Sequence, residues 1–239
     1  MKRAERHHLK ENELRRLALQ ARGMYGERRR EMTGVLIGVA VLAVALGGYF
    51  LWRERVNARA HALLADALAV KEARVVAAGT PGATGTYLTE RARLEAAVVK
   101  FKAAADAYPS TDAGVFARYQ EAADQLALGN AAAAVTAYQD VIRQGGEGIY
   151  GQMARLGLAE AQARAGQFEQ AINAFKELAQ RKDGSLPVDG ILMELARTYR
   201  DAGKQSDAQQ TLNRLVEEYP DSPYTQEAKR ELDALKKAA

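Results

Sequence analysis

The stretch LAEAQARAGQFEQAINAFKEL, residues 158–178, predicts two helices joined by a glycine turn. Gly166 lies between the two apolar-periodic segments, where a tight turn with positive φ favours glycine. On the second segment, Ala171 precedes Phe175 by one helical turn. The alanine lets two helix backbones approach closely, and the ring fills the groove beside the neighbouring hairpin. This stretch is therefore expected to form one helix–turn–helix unit.

The same pattern recurs every 37 residues, which indicates an internal repeat rather than an isolated hairpin. The recurring residues are Ala97, Ala134, Ala171 and Ala208; Phe101, Tyr138, Phe175 and Leu212; Ala104, Val141, Leu178 and Leu215; and Gly129, Gly166 and Gly203, with Ala92 in the first copy. A single hairpin cannot bury its apolar face, so neighbouring copies must stack. We expect an all-α fold in which about four helical hairpins form an α-solenoid.

Two copies resemble the tetratricopeptide repeat (TPR) in particular. The residues that carry the resemblance are Leu158, Ala159, Gly166, Phe168, Ala171, Phe175 and Leu178 in one copy, and Leu195, Ala196, Tyr199, Gly203, Ala208, Leu212, Leu215 and Pro220 in the next. The family's usual period is 34 residues, so three extra residues are expected to lengthen connections such as residues 144–150 and 182–190. The resemblance implies a protein-binding solenoid whose first helices line a concave groove.

By the family's offsets, nine residues of this chain are candidates for that groove. They are Tyr119, Ala123, Leu126, Leu156, Glu160, Arg164, Met193, Arg197 and Arg200. The asparagine and lysine set with which some TPR domains clamp a peptide C-terminus does not occur at these positions. The three arginines are suited to an acidic partner. The favoured alternative is that they are solvated or pair with Glu160 and Glu194.

Residues 33–52, TGVLIGVAVLAVALGGYFLW, form twenty consecutive positions without a charge. A helix needs ~20 apolar residues to cross a bilayer. A buried core helix and a cleaved signal peptide are the alternatives, but a signal-peptide core usually has about 7–15 apolar residues and ends at a small-residue cleavage site. The aromatic exit Tyr49-Phe50-Leu51-Trp52 favours a retained transmembrane helix.

No glycine or proline separates the span from an amphipathic segment at residues 56–75. We therefore expect the span to continue without a break into the first helix of the first repeat. Residues 77–88, AAGTPGATGTYL, predict a flexible insertion after that helix. At the other end, residues 223–237 predict a polar-faced helix that caps the solenoid.

Charge divides the chain into a basic tail and a near-neutral main domain. Residues 1–32 contain ten Lys and Arg and five Glu, whereas residues 53–239 contain twenty-four Lys and Arg and twenty-five Asp and Glu. The net charge of +4 therefore belongs to the tail, and it does not indicate nucleic-acid binding by the main domain. Positive residues resist translocation. We expect a single-pass protein with a cytoplasmic tail at residues 1–32, a transmembrane helix at 33–52 and an exported domain at 53–239.

The tail also carries apolar residues at helical spacing among its arginines. These are Leu14, Leu17, Ala18, Ala21 and Met24. The pattern is typical of a basic amphipathic helix on anionic lipid. A solvated segment that only sets topology fits the same residues equally well.

Catalytic signatures are scarce. The sequence contains no cysteine, which excludes the class of small disulfide-stapled secreted domains. His61 is the one histidine beyond residue 52, and Ser110, Ser185, Ser206 and Ser222 fall in predicted turns, where hydroxyls commonly cap helices. We expect a protein that is not an enzyme and has no catalytic residues, cofactor or metal site.

The layout of tail, span and exported solenoid from Thr33 onward resembles the ancillary subunit of the bacterial SecYEG translocon. This resemblance implies an inner-membrane protein with a periplasmic C-terminal domain that brings periplasmic chaperones to the translocon. The end at residues 219–224, YPDSPY, also resembles repeats of periplasmic and outer-membrane-assembly TPR proteins. The alternatives are therefore a coordinator of envelope assembly or a self-associating scaffold.

Overall fold

A computed structural model describes residues 29–76, 85–181 and 186–238 of the 239-residue chain. Side chains are described for residues 33–76, 85–181 and 186–237. Within these ranges the fold is all-α. Its helices are α1 (Arg29–Lys71), α2 (Glu90–Ala107), α3 (Asp112–Ala127), α4 (Ala131–Gly145), α5 (Ile149–Arg164), α6 (Phe168–Gln180), α7 (Val188–Asp201), α8 (Gln205–Glu218) and α9 (Thr225–Ala238).

The chain divides into two compact units, residues 1–55 and residues 56–239. In the first unit, the large apolar side chains between Val35 and Trp52 are about half exposed or more. Among the described residues, α1 is the one helix that is long and apolar enough to cross a membrane, and none of its apolar window is buried. Its apolar part is therefore not buried as a core helix would be, although an N-terminal signal sequence can meet the same criterion of length and composition.

The helix α1 confirms the predicted continuity, because it runs from Arg29 to Lys71 without a break at residues 52–57. In the second unit, its last four turns form the first helix of the first hairpin. Ala60, Leu64 and Ala67 pack with Phe101 of α2 in one buried cluster. At the end of α1, the Lys71 Nζ donates to the Asp124 Oδ1 of α3 at 2.7 Å.

Four helical hairpins follow one another in the second unit. The first pairs α1 from Val56 onward with α2, which share one buried cluster. The others pair α3 with α4, α5 with α6, and α7 with α8, and the terminal helix α9 packs on α8. All twelve residues of the predicted alanine, aromatic and apolar columns are buried. The 37-residue register therefore fixes the interior of the solenoid.

The predicted turn glycines are confirmed by their backbone. Gly129, Gly166 and Gly203 have φ values of +85°, +75° and +76°, in the region that side chains with a Cβ rarely adopt. Their counterpart Ala92 lies inside α2 instead. The first hairpin has a long connection in place of a glycine turn, since α1 ends at Lys71 and α2 begins at Glu90.

Several predicted segments are described in part or not at all. The basic tail lies outside the described side chains, as do residues 77–84 of the insertion and 182–185 of a connection. The two ends of the insertion are joined, because the Tyr87 N–H donates to the Arg74 carbonyl at 2.9 Å. Near the other terminus, the Ser222 hydroxyl donates to the Asp189 Oδ2 at 2.6 Å. This bond ties the turn before α9 to the start of α7.

Candidate protein-interaction surface

The first helices of successive hairpins contact one another along one side of the solenoid, α3 with α5 and α5 with α7. Neighbouring hairpins approach most closely on the inner side of a curved stack, so this side is the concave face. We define the concave face by α3, α5, α7 and α9. TPR-like repeats use such extended concave surfaces for binding.

Aromatic rings form the α3 end of the concave face. The rings of Phe116 and Tyr150 have centroids 5.1 Å apart, and Tyr119 lies 6.4 Å from Tyr150 and 5.8 Å from Tyr138. Phe116, Tyr119 and Tyr150 are half-buried, whereas Tyr138 is buried beneath them. We call these three half-buried rings the aromatic wall. Such rings offer a large contact area at low entropic cost.

A cavity of about 280 Å³ follows where α5 faces α7. Its lining is polar and mixes both charges. The lining residues are Glu160, Ala163, Arg164, Glu194, Arg197, Thr198, Arg200 and Asp201. Small-molecule sites commonly measure about 300–1,000 Å³. The size and polarity of this cavity, which we call the charged pocket, therefore suit a side chain better than a cofactor.

Two arginines of the charged pocket are saturated by carboxylates. Arg197 pairs with Glu194 at 2.8 Å on α7, and with Glu227 at 2.7 Å and Glu231 at 3.2 Å on α9. These hydrogen bonds and charges outweigh burial, which alone would lower the pKa of Arg197, and they raise it. Arg200 pairs with Glu231 and with Asp201, each at 3.0 Å.

Glu160 contrasts with these paired groups. It is half-buried, and it forms no hydrogen bond or ion pair with any residue that the structure describes. Burial raises the pKa of its carboxyl group, and the charge of Glu194 adds to that effect while Arg164 opposes it. The pKa of Tyr119 is likewise raised, first by burial and then by the charge of Glu160. Glu160 therefore lies close to both the aromatic wall and the charged pocket.

The nine predicted groove residues lie in three environments: on the concave face, at half-buried positions of the same helices, and in the core. Glu160, Arg164, Arg197 and Arg200 all line the charged pocket, and Tyr119 belongs to the aromatic wall. Ala123 and Leu156 are half-buried on the same helices. Leu126 and Met193 are instead buried in the core, with exposures of 6% and 0%, so their side chains are not available to a partner.

Sequence reasoning did not identify four residues of the concave face: Phe116, Tyr150, Glu227 and Glu231. The repeat register could have predicted Phe116, because this residue lies one helical turn before Tyr119 on the same face of α3. No comparable spacing in the sequence indicates that Glu227 and Glu231 belong to the concave face. Their contact with Arg197 depends on where α9 packs, which the turn at residues 219–224 determines.

A separate cleft of about 400 Å³ opens on the opposite face of α5, between α4 and α6. It is lined by Ile142, Arg155, Leu158, Ala174, Glu177, Leu178 and Arg181. We call it the outer cleft. Arg155 and Arg181 both pair with Glu147 there. Within the described part of the chain, no group of three or more His, Cys, Asp or Glu side chains could hold a metal ion.

Comparison with known proteins agrees with this architecture. A family model for the tetratricopeptide repeat-like domain matches residues 30–189, and one for the tetratricopeptide repeat matches residues 191–222. No curated protein matches the chain.

Two solved structures share the fold. They are the nearly identical TPR-like repeats described as a kinesin light chain of Podosopora anserina, and a single-substitution variant of the same repeats. The TM-scores are 0.57 and 0.58 at 15% identity, and each match covers 76% of this chain and 87% of the other. The family match covers well over half of the chain, so the chain belongs to the tetratricopeptide repeat-like domain family.

Proposed function

We propose that the protein is a membrane-anchored adaptor that binds other proteins through the concave face. The observation that carries this proposal is the band formed by the aromatic wall, Glu160 and the charged pocket. It combines half-buried tyrosine and phenylalanine rings with arginines, and aromatic residues and arginine are enriched at protein interfaces. The TPR-type fold is typical of protein-interaction scaffolds without enzymatic activity, and it supports the same interpretation.

The exposed apolar part of α1 supports a membrane anchor. Its side chains from Val35 to Trp52 present a continuous apolar surface. Exposure of such a surface to water is unfavourable, and a membrane would bury it. Within the proposal, residues 33–52 cross a bacterial inner membrane, residues 1–32 lie in the cytoplasm and residues 53–239 lie in the periplasm. The partners are translocon components or periplasmic chaperones.

In-cell photocrosslinking tests the adaptor proposal. A photoreactive residue at Tyr119 or Arg197 is expected to attach to translocon or chaperone proteins, which mass spectrometry would identify. Crosslinks that join only a second copy of this chain would instead support a self-associating scaffold. Size measurement of the full chain in detergent distinguishes the two, because a scaffold forms oligomers that grow with concentration.

The proposed topology has an independent test. A C-terminal tag is expected to be degraded by protease added to spheroplasts, while a tag at the N-terminus stays protected. Protection of the C-terminal tag would contradict a periplasmic solenoid. Release of the whole domain as a soluble species would show that residues 33–52 act as a cleaved signal.

A further inference from the structure

Carboxylates outnumber arginines in and around the charged pocket. The lining holds three of each, Glu160, Glu194 and Asp201 against Arg164, Arg197 and Arg200. Two further carboxylates, those of Glu227 and Glu231 on α9, pair with Arg197 and Arg200. Among these eight side chains the carboxylates exceed the arginines by two.

The distribution of the ion pairs decides which charge a partner can satisfy. Arg197 and Arg200 already have five carboxylate contacts between them, so an acidic partner would have to displace groups of the same chain. Such a partner would also meet the surplus negative charge. The pairing of Arg197 and Arg200 therefore disfavours, at these two residues, the acidic partner that the arginines indicated from sequence.

Glu160 presents the opposite situation. Its carboxylate is half-buried and unpaired within the described residues, and Glu194, which lines the same cavity, adds to the local negative charge. A cation placed there would form an ion pair with a carboxylate that has none among the described residues. The neighbouring ring of Tyr119 can cover the apolar stem of a long basic side chain.

We propose that the concave face binds an extended protein segment through a lysine or arginine side chain, which enters between Glu160 and Glu194 with its stem against Tyr119. This inference rests on the proposed protein-binding function and adds the chemistry of the partner. The cavity of about 280 Å³ holds the charged end of the side chain, and the aromatic wall contacts the adjoining residues of the segment.

A peptide array tests this charge preference on the full chain in nanodiscs of phosphatidylcholine, a zwitterionic lipid without net charge, to which basic peptides adsorb little. The probes are 12-residue peptides with randomised uncharged frames, in four sets whose central residue is Lys, Arg, Gln or Glu. The Lys and Arg sets are expected to bind about tenfold more tightly than the Gln set, and the Glu set most weakly. Raising the salt concentration should weaken binding of the two basic sets.

Two variants distinguish binding in the charged pocket from a general effect of the protein's charge. Glu160→Gln keeps the shape of the side chain and is expected to weaken the Lys set about fivefold without changing the Gln set. Glu177→Gln makes the same charge change at the outer cleft and should leave the binding of both the Lys set and the Gln set unchanged. Equal loss in both variants would overturn the assignment to Glu160.

The remaining outcomes also decide the question. Binding that is equal across the four sets would overturn the basic preference and leave protein binding by the concave face intact. Binding by none of them would overturn this inference alone, because the proposed function is judged by the crosslinks from Tyr119 and Arg197. A preference for the Glu set would restore the acidic partner.

Discussion

The hairpin of α3 and α4 and the hairpin of α7 and α8 share one repeat register but fill it with different chemistry. Arg118 and Glu121 on α3 occupy interior positions with side-chain exposures of 13% and 8%. Two repeats later, 74 residues on, the same positions hold the buried Leu192 and Leu195. The register therefore determines which positions are interior, and it leaves open whether charge or apolar packing fills them.

The charged interior of the earlier hairpin is a cross-link between helices. Arg118 contacts Glu121 at 2.5 Å, Asp106 at the end of α2, and Asp140 of α4 at 3.9 Å. Burial raises the pKa of Glu121 even though the charge of Arg118 opposes that effect. The later hairpins instead join α5 to α9 through one apolar cluster that includes Phe175 and Leu212. Both regions contain a buried apolar cluster, and the earlier hairpin adds a buried ion pair at positions where the later hairpin has leucines.

The largest effect is expected at Arg118. Arg118→Met should lower the free energy of unfolding by about 2–4 kcal/mol, because it leaves Glu121 as a buried charge without its partner. Arg155 holds the equivalent position one repeat later and is 31% exposed, so Arg155→Met should cost less than about 1 kcal/mol. Urea unfolding of the full chain in detergent, followed by circular dichroism, measures both. Equal costs would show that the burial of the Arg118 ion pair is not the cause of its larger effect.

The alanine column tests what the two regions share. Ala134→Phe and Ala171→Phe should each cost about 1–3 kcal/mol, because a ring overpacks the contact between two helices. Asn173→Phe is the control, since Asn173 is exposed on the same helix as Ala171. The same unfolding experiment applies. Unchanged stability in either alanine variant would show that the 37-residue register is wrong.

Gly157 tests a contact that belongs to one repeat only. A Cβ at Gly157 would lie 2.6 Å from the Cε1 of the buried Tyr138 ring, so Gly157→Ala should cost about 1–2 kcal/mol. Gly190 on α7 also faces a tyrosine, but its Cβ would lie 3.4 Å from the Tyr224 ring, an ordinary contact. Gly190→Ala should be neutral or slightly stabilising. Tyr138→Leu should relieve most of the cost of Gly157→Ala if the ring is its cause.

The smallest effect concerns pH and Glu160. Because its pKa is raised in the folded state, the folded protein holds this proton more tightly than the unfolded chain, and stability falls as pH rises through that window. Glu160→Gln should therefore stabilise the protein slightly at pH 7. The difference in stability between variant and wild type should vanish as the pH falls below the usual pKa of a glutamate carboxyl group, because the wild-type carboxyl is then protonated in both the folded and the unfolded state. Thermal unfolding at several pH values measures it, and a destabilised variant at pH 7 would show that Glu160 has a partner.

The repeat made much of the fold predictable from the sequence. Column residues such as Ala97 and Phe175, the turn glycines and the continuity of α1 all follow from local spacing and from the absence of breakers. Short-range patterns of this kind are repeated in each hairpin, so each copy reinforces the register of the others. The sequence alone therefore predicted the solenoid and most of its interior positions.

The candidate site was less accessible, because its properties arise from contacts between distant segments. The saturation of Arg197 by Glu227 and Glu231 spans 30 and 34 residues and depends on the packing of α9. Glu121 is paired inside the fold by Arg118, which also contacts Asp106 of the preceding helix α2. Leu126 and Met193 had the right offset for a groove, but adjacent helices cover them.

The most direct test of the account compares two faces of one helix in living cells. Photoreactive residues at Arg164, in the charged pocket, and at Arg155, in the outer cleft, lie on opposite sides of α5. If the concave face binds partners, Arg164 should give several-fold more crosslinked protein than Arg155, and Glu160→Gln should reduce the yield from Arg164. Equal yields from the two positions, or a higher yield from Arg155, would contradict binding by the concave face.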